Sequence, residues 1–143
     1  MSVPSWKRSA SKSEYIRLLY DLNVRIGQIV ANKPKKYRGS YGDMLIKSGL
    51  EALKYVQTAN GIFMTASTSR EDYLLRRQHL LLARGTVESI ATVSQIFLEI
   101  CRKADRESSA QIYRDEAYIG ETCGAIQKKI SGVLKSDAAL MKK

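Results

Sequence analysis

Four stretches of the chain carry apolar residues at alternating intervals of four and three, and this spacing most narrows what the sequence can fold into. Tyr15, Leu19, Leu22, Ile26 and Ile29 form the first seam, and Leu45, Gly49, Ala52, Val56, Ala59 and Phe63 form the second. The third reads Tyr73, Leu80, Ala83, Val87, Ile90, Ser94, Phe97, Cys101, and the fourth Ile112, Ile119, Cys123, Ile126, Ile130, Val133. Steps of three and four keep side chains on one face of an α-helix. The period-two alternation of a half-buried strand is sustained nowhere, so the chain is expected to be all-α.

Local signals bound the helices. Ser11 or Ser13 can cap the first, and Pro34 stops it by fixing φ and biasing Lys33 away from helical angles. The second should begin between Arg38 and Asp43. Ser69, followed by Glu71 and Asp72, announces the third, with the acids complementing the helix dipole. Lys103 to Glu107 with Ser108 and Ser109 form the next turn, and the fourth helix is expected to fray beyond Lys135. Long helices with short connections imply an antiparallel up-down-up-down four-helix bundle over residues 13–136, between a flexible basic N-terminus (1–12) and a frayed basic tail (137–143). Small residues at Gly49, Ala52 and Ala59 should let a neighbouring helix come close. Leu18, Val24, Val30, Leu74, Leu75, Leu81 and Leu82 widen the apolar stripes beyond what one bundle covers, which points to self-association; the alternative is a thick core.

The chain has 143 residues, and 24 Lys and Arg against 14 Asp and Glu give a net charge of +10. Residues 1–38 hold nine cations and two acids (+7), leaving fifteen against twelve (+3) for the rest. A second excess lies at the end, where Lys128, Lys129, Lys135, Lys142 and Lys143 face only Asp137. Such asymmetry favours a polyanionic partner, nucleic acid before membrane. No run approaches the roughly 20 apolar residues of a membrane span, so a cytoplasmic protein is expected. Cys101 and Cys123 lie on apolar helix faces and read as reduced core thiols.

Within the segment Lys33 to Asp43, cations alternate with Tyr37 and Tyr41. Lys33, Lys35, Lys36 and Arg38 are therefore expected to contact phosphate, with the tyrosines stacking on bases; the alternative is a solvated turn. Arg70, Arg77 and Arg84 recur every seven residues, which sets them about 10 Å apart in one row. That row could follow a nucleic-acid backbone, pair with acids on another subunit, or cover the seam edge with its stems.

Catalytic constellations are missing. The only histidine, His79, has Arg76 three residues before it, so the Glu-x-x-His pairs of di-iron bundles cannot form. No glycine-rich phosphate fingerprint occurs, and Gly39-Ser40-Tyr41-Gly42 lacks the strands that a G-x-x-G clamp needs. No catalytic residue, metal or cofactor is expected.

The runs Pro34-Lys35-Lys36-Tyr37-Arg38, Tyr41-Gly42-Asp43-Met44-Leu45, Leu50-Glu51-Ala52-Leu53 and Ala59-Asn60 resemble the second-helix signature of the four-helix-bundle accessory variability determinants (Avd) of diversity-generating retroelements. Bundle proteins encoded by intervening sequences in large-subunit ribosomal RNA genes belong to the same superfamily. The likeness is densest over residues 33–60; the later helices agree in length and pattern. It implies a non-catalytic adaptor, a ring-shaped homopentamer with a basic surface that binds a reverse transcriptase and its template RNA, with DNA a second polyanion, in mutagenic retrohoming. Lys35, Lys36 and Arg38 carry over as polyanion contacts. Relatives tend to show basic residues late in the third helix as a partner face, where this chain has Gln95 and Glu99. Either the partner contact has moved to Arg102, Lys103 and Arg106, or the partner differs. The other readings are an intervening-sequence bundle protein and a scaffold of protein contacts alone.

Overall fold

A computed structural model describes residues 10–142, with side chains from Glu14 onward. Four α-helices account for nearly all of them: α1 (Ala10–Ala31), α2 (Asp43–Asn60), α3 (Arg70–Ala104) and α4 (Ser109–Met141). A 3₁₀ turn (Lys35–Tyr37) and a π turn (Arg38–Gly42) lead from Pro34 into α2. No strand occurs among the described residues. Residues 1–9 of the expected N-terminal extension lie outside the described part, and the chain is already helical at Ala10.

Each helix packs against its neighbours in sequence, and α1 closes the square on α4. Cross-helix bonds give the direction. Glu14 meets Lys129 at 2.8 Å while Arg25, three turns on, meets Asp115 at 3.0 Å, so α1 and α4 run antiparallel. Ser69 Oγ accepts from the Asp72 amide (3.2 Å) and Ser108 Oγ from the Gln111 amide (3.4 Å), the N-caps that start α3 and α4.

The four seams form the core. Two seam positions depart. Phe63 is 81% exposed because α2 ends at Asn60, and Val133 is only half-buried, with Leu134 taking the core place. At Gly49 α2 comes close to Asn23 of α1. A Cβ there would stand 2.4 Å from Asn23 Oδ1, and Asn23 Nδ2 donates to the carbonyls of Leu19 (2.9 Å) and Gly49 (3.0 Å).

One end of the bundle is organised by a buried charge, at the place that the third seam leaves open between Tyr73 and Leu80. Arg76 is buried on α3; its Nε donates to Asp137 Oδ2 at 2.6 Å and its Nη1 to the carbonyls of Ala59 (3.2 Å) and Ile62 (3.0 Å). The guanidinium thus caps α2 and pairs with a buried carboxylate two turns beyond Ser131 on α4. Fraying beyond Lys135 is therefore corrected: α4 continues to Met141, anchored by Asp137. The Tyr15 ring lies against this pair, and burial raises its hydroxyl pKa above the ordinary value.

Three buried polar atoms find no hydrogen-bond partner among the described residues: Ser94 Oγ, one carboxylate oxygen of Asp105 and one of Glu116. Ser94 is 2% exposed. It lies between a small apolar cavity of about 10 Å³ lined by Ile26, Val30, Leu45, Phe97 and Ile119 and an open pocket of α3 and α4 lined by Thr92, Gln95, Tyr113 and Glu116. Ser94→Ala removes the unpaired hydroxyl and improves helix propensity, so it should raise the unfolding free energy by about 1 kcal/mol. Urea titration checks this; a lower midpoint for the alanine variant would contradict it.

Candidate polyanion-binding surface

The segment from Lys33 to Asp43 is a clamp before it is a binding loop. Lys33 is 8% exposed and its Nζ lies 3.3 and 3.2 Å from the two carboxylate oxygens of Glu107. Lys36 Nζ is 2.7 Å from Asp105 Oδ1 and sits over the Tyr37 ring. The neighbouring Lys36 ammonium, and after it the Tyr37 hydroxyl, hold the Asp105 carboxyl below its ordinary pKa. Two of the four cations expected to grip phosphate are thus consumed by acids of the α3–α4 turn.

The tyrosines are committed as well. Tyr41 stacks on Phe97 at 5.3 Å between centroids, and Tyr37 meets the same ring edge-on at 5.5 Å. They are core edge, not base-stacking platforms, which corrects the expectation drawn from their interleaving. Lys35 and Arg38 remain exposed; Arg38 reaches the Ala31 carbonyl at 3.4 Å, and neither pairs with an acid among the described residues.

Arg102, Lys103 and Arg106 lie at this same end. Arg102 Nε is 2.7 Å from Glu99 Oε2 and its guanidinium covers the Tyr113 ring at 6.0 Å. Lys103 is exposed. Arg106, also exposed, adopts φ 54°, the left-handed conformation that ends α3. Arg102 is therefore tied within its own subunit, and Lys103 and Arg106 are the two available to a partner.

The arginine row lies toward the opposite end and has a companion. Arg84 Nη1 donates to Ser131 Oγ (3.1 Å), and Gln127 Nε2 donates to the Arg84 carbonyl (3.5 Å), fixing the antiparallel register of α3 and α4. Lys128 and Lys135 lie one turn on either side of Ser131, and Lys142 two turns further. Lys128, Lys135 and Lys142 repeat the seven-residue spacing of Arg70, Arg77 and Arg84, so two rows of three cations flank one groove, each row stepping about 10 Å.

Acids are sparse along this groove. Between Asp72 and Glu88 α3 carries none, and beyond Glu121 the only acid of α4 is Asp137, which is turned into the core. Arg70, Arg77, Lys128, Lys135 and Lys142 make no ion pair with any described residue, and Arg84 bonds only the neutral Ser131 hydroxyl. The seven-residue lysine repeat is visible in the sequence. Its place beside the arginines required the α3–α4 register.

The remaining chemistry is quiet. Burial pushes both thiol pKa values up to about 12, so Cys101 and Cys123 stay protonated near neutrality. His79 Nδ1 lies 2.9 Å from the Leu75 carbonyl, beside Tyr55. Among the described residues no group of three His, Cys, Asp or Glu is placed to hold a metal ion, and no helix is long and apolar enough to cross a membrane. No family model, curated protein or solved structure matches the chain.

Proposed function

We propose that the protein is a non-catalytic adaptor that binds a polyanion, RNA first, along the α3–α4 groove. The observation that carries this reading is the double row Arg70, Arg77, Arg84 and Lys128, Lys135, Lys142, six cations without an acid partner among the described residues. Phosphates spaced along a strand meet such rows without any requirement on base sequence. Lys35 and Arg38 make a smaller secondary contact at the far end. Within the resemblance drawn from residues 33–60, the adaptor is the accessory subunit of a retroelement reverse transcriptase, holding template RNA near the polymerase in an oligomer. Lys103 and Arg106 are then the partner contact.

The binding reading is tested by titrating single-stranded RNA at several salt concentrations. With six phosphate contacts the slope of log K against log salt should be roughly −4. Absence of binding at about 50 mM salt, where such contacts are strongest, would sink it in favour of a protein-only scaffold. The retroelement role has its own test: a reverse-transcriptase gene and a paired variable and template repeat should adjoin the coding sequence.

A further inference from the structure

Two of the three buried polar atoms without a hydrogen-bond partner among the described residues, Ser94 Oγ and Glu116 Oε1, belong to residues that line one pocket of about 440 Å³ between α3 and α4. Glu116 makes no ion pair with any described residue, although the chain carries a net charge of +10. We propose that this pocket binds a linear polyamine, an aliphatic chain with ammonium groups along it.

Each part of such a molecule meets a matching group. An ammonium can donate to the unpaired Glu116 carboxylate oxygen and to Ser94 Oγ, while its methylenes lie against Ala91, Ala117 and Gly120. Tyr113, 54% exposed, offers its ring at the rim to the same cation. A second ammonium has Glu88. That residue stands one turn before Thr92 on the same face of α3, and its side chain is held by the neutral Gln127 amide at 2.5 Å, with no cation on it among the described residues.

The electrostatics point the same way. Burial, and after it the neighbouring Glu99 charge, holds the Glu116 carboxyl above its ordinary pKa, against the opposing pull of Arg102. Arg102 is tied to Glu99 at 2.7 Å and leaves Glu116 unmatched. A cation in the pocket offsets burial and like charge together. From Glu88 to Glu99 α3 rises about 16 Å, so a chain of several amines lying along the groove serves acids at both ends. One arginine side chain of a protein partner reaches only one of them. The assignment rests on these acids and not on the polyanion reading.

Isothermal titration of the full chain with spermine, at low salt and without RNA, should show one saturable site. Glu116→Gln keeps the shape and should weaken it roughly tenfold or more, the size of one charge-assisted hydrogen bond. Glu88→Gln should lower the affinity for spermine and leave that for butylamine unchanged. Gly120→Leu, at a position where an added Cβ meets nothing within 4 Å, should fill the pocket and abolish binding in a protein of unchanged helicity. Glu51→Gln, at an exposed acid of α2, is the control and should have no effect. Absence of saturation below about 1 mM would overturn the proposal, as would equal losses in the Glu51 and Glu116 variants, or binding of an arginine-rich peptide but not of spermine. Failure here leaves the basic rows untouched as an RNA site, and failure to bind RNA leaves this pocket untouched.

Discussion

Asp137→Ala should destabilise the protein by about 3 kcal/mol, the loss typical when one partner of a buried ion pair is removed and the other stays behind. The Arg76 and Asp137 side chains are 11% and 6% exposed, so water cannot take the carboxylate's place without opening the end of the bundle. Arg76 would keep the Ala59 and Ile62 carbonyls, which holds the loss near the lower end of the range. Denaturant unfolding followed by circular dichroism measures it. Truncation after Ser136 should match it. Arg76→Met combined with Asp137→Leu should recover much of the loss, because an apolar pair needs no desolvated charge; the two carbonyls then left bare account for what is not recovered. A change under about 1 kcal/mol for Asp137→Ala would mean that the pair is not the anchor described, given the usual size of such effects.

The second large effect is on binding. Replacing Arg77, Arg84, Lys128 and Lys135 with alanine removes the middle of both rows, and RNA affinity should fall by roughly two orders of magnitude at moderate salt while the salt slope drops by about 3. Helicity and melting temperature should hold, since these side chains line a surface groove and Arg84 makes only one side-chain bond, to Ser131. The matched control is Lys35→Ala with Arg38→Ala, which removes two exposed cations at the far end and should cost well under tenfold. If the control loses more than the groove variant, the Pro34 turn is the main contact after all. Neither set touches Lys33 or Lys36, whose ion pairs would confound stability with binding.

The helices were legible because burial of one face writes itself into spacing. Leu19, Ala52, Val87 and Ile126 could be assigned to the core from their neighbours alone, and Ser69 announced α3 through local backbone chemistry. The partners of charged residues were not legible in this way. Arg76 and Arg77 are adjacent and identical in sequence, yet one is buried against Asp137, 61 residues away, and the other lines the groove. Seam spacing alone puts Arg76, three after Tyr73 and four before Leu80, on the core face; that Asp137 meets it there required the fold. Lys33 and Lys36 misled for the same reason, since a cation beside tyrosines has one composition whether it faces phosphate or an acid of its own chain. Phe63 continued the spacing of α2, but the guanidinium of Arg76 takes the last carbonyls and the helix stops short of it. The arginine row stands out as a repeat, whereas Lys128, Lys135 and Lys142 read only as an excess of charge near the end until Arg84 and Ser131 set the register of the two helices.

The clamp at the Pro34 turn gives the two ends of the bundle different responses to ionic strength. At that end the Lys36–Asp105 tie is open to solvent, Lys36 being 59% exposed at its side chain, and mobile ions weaken such a pair, whereas Lys33 is shielded. At the other end the Arg76 pair is sealed from electrolyte. Concentrated brine therefore weakens the Lys36 tie between the first and last connections, and the exposed Glu14–Lys129 pair between α1 and α4, while the Arg76 pair keeps the ends of α2 and α4 fastened.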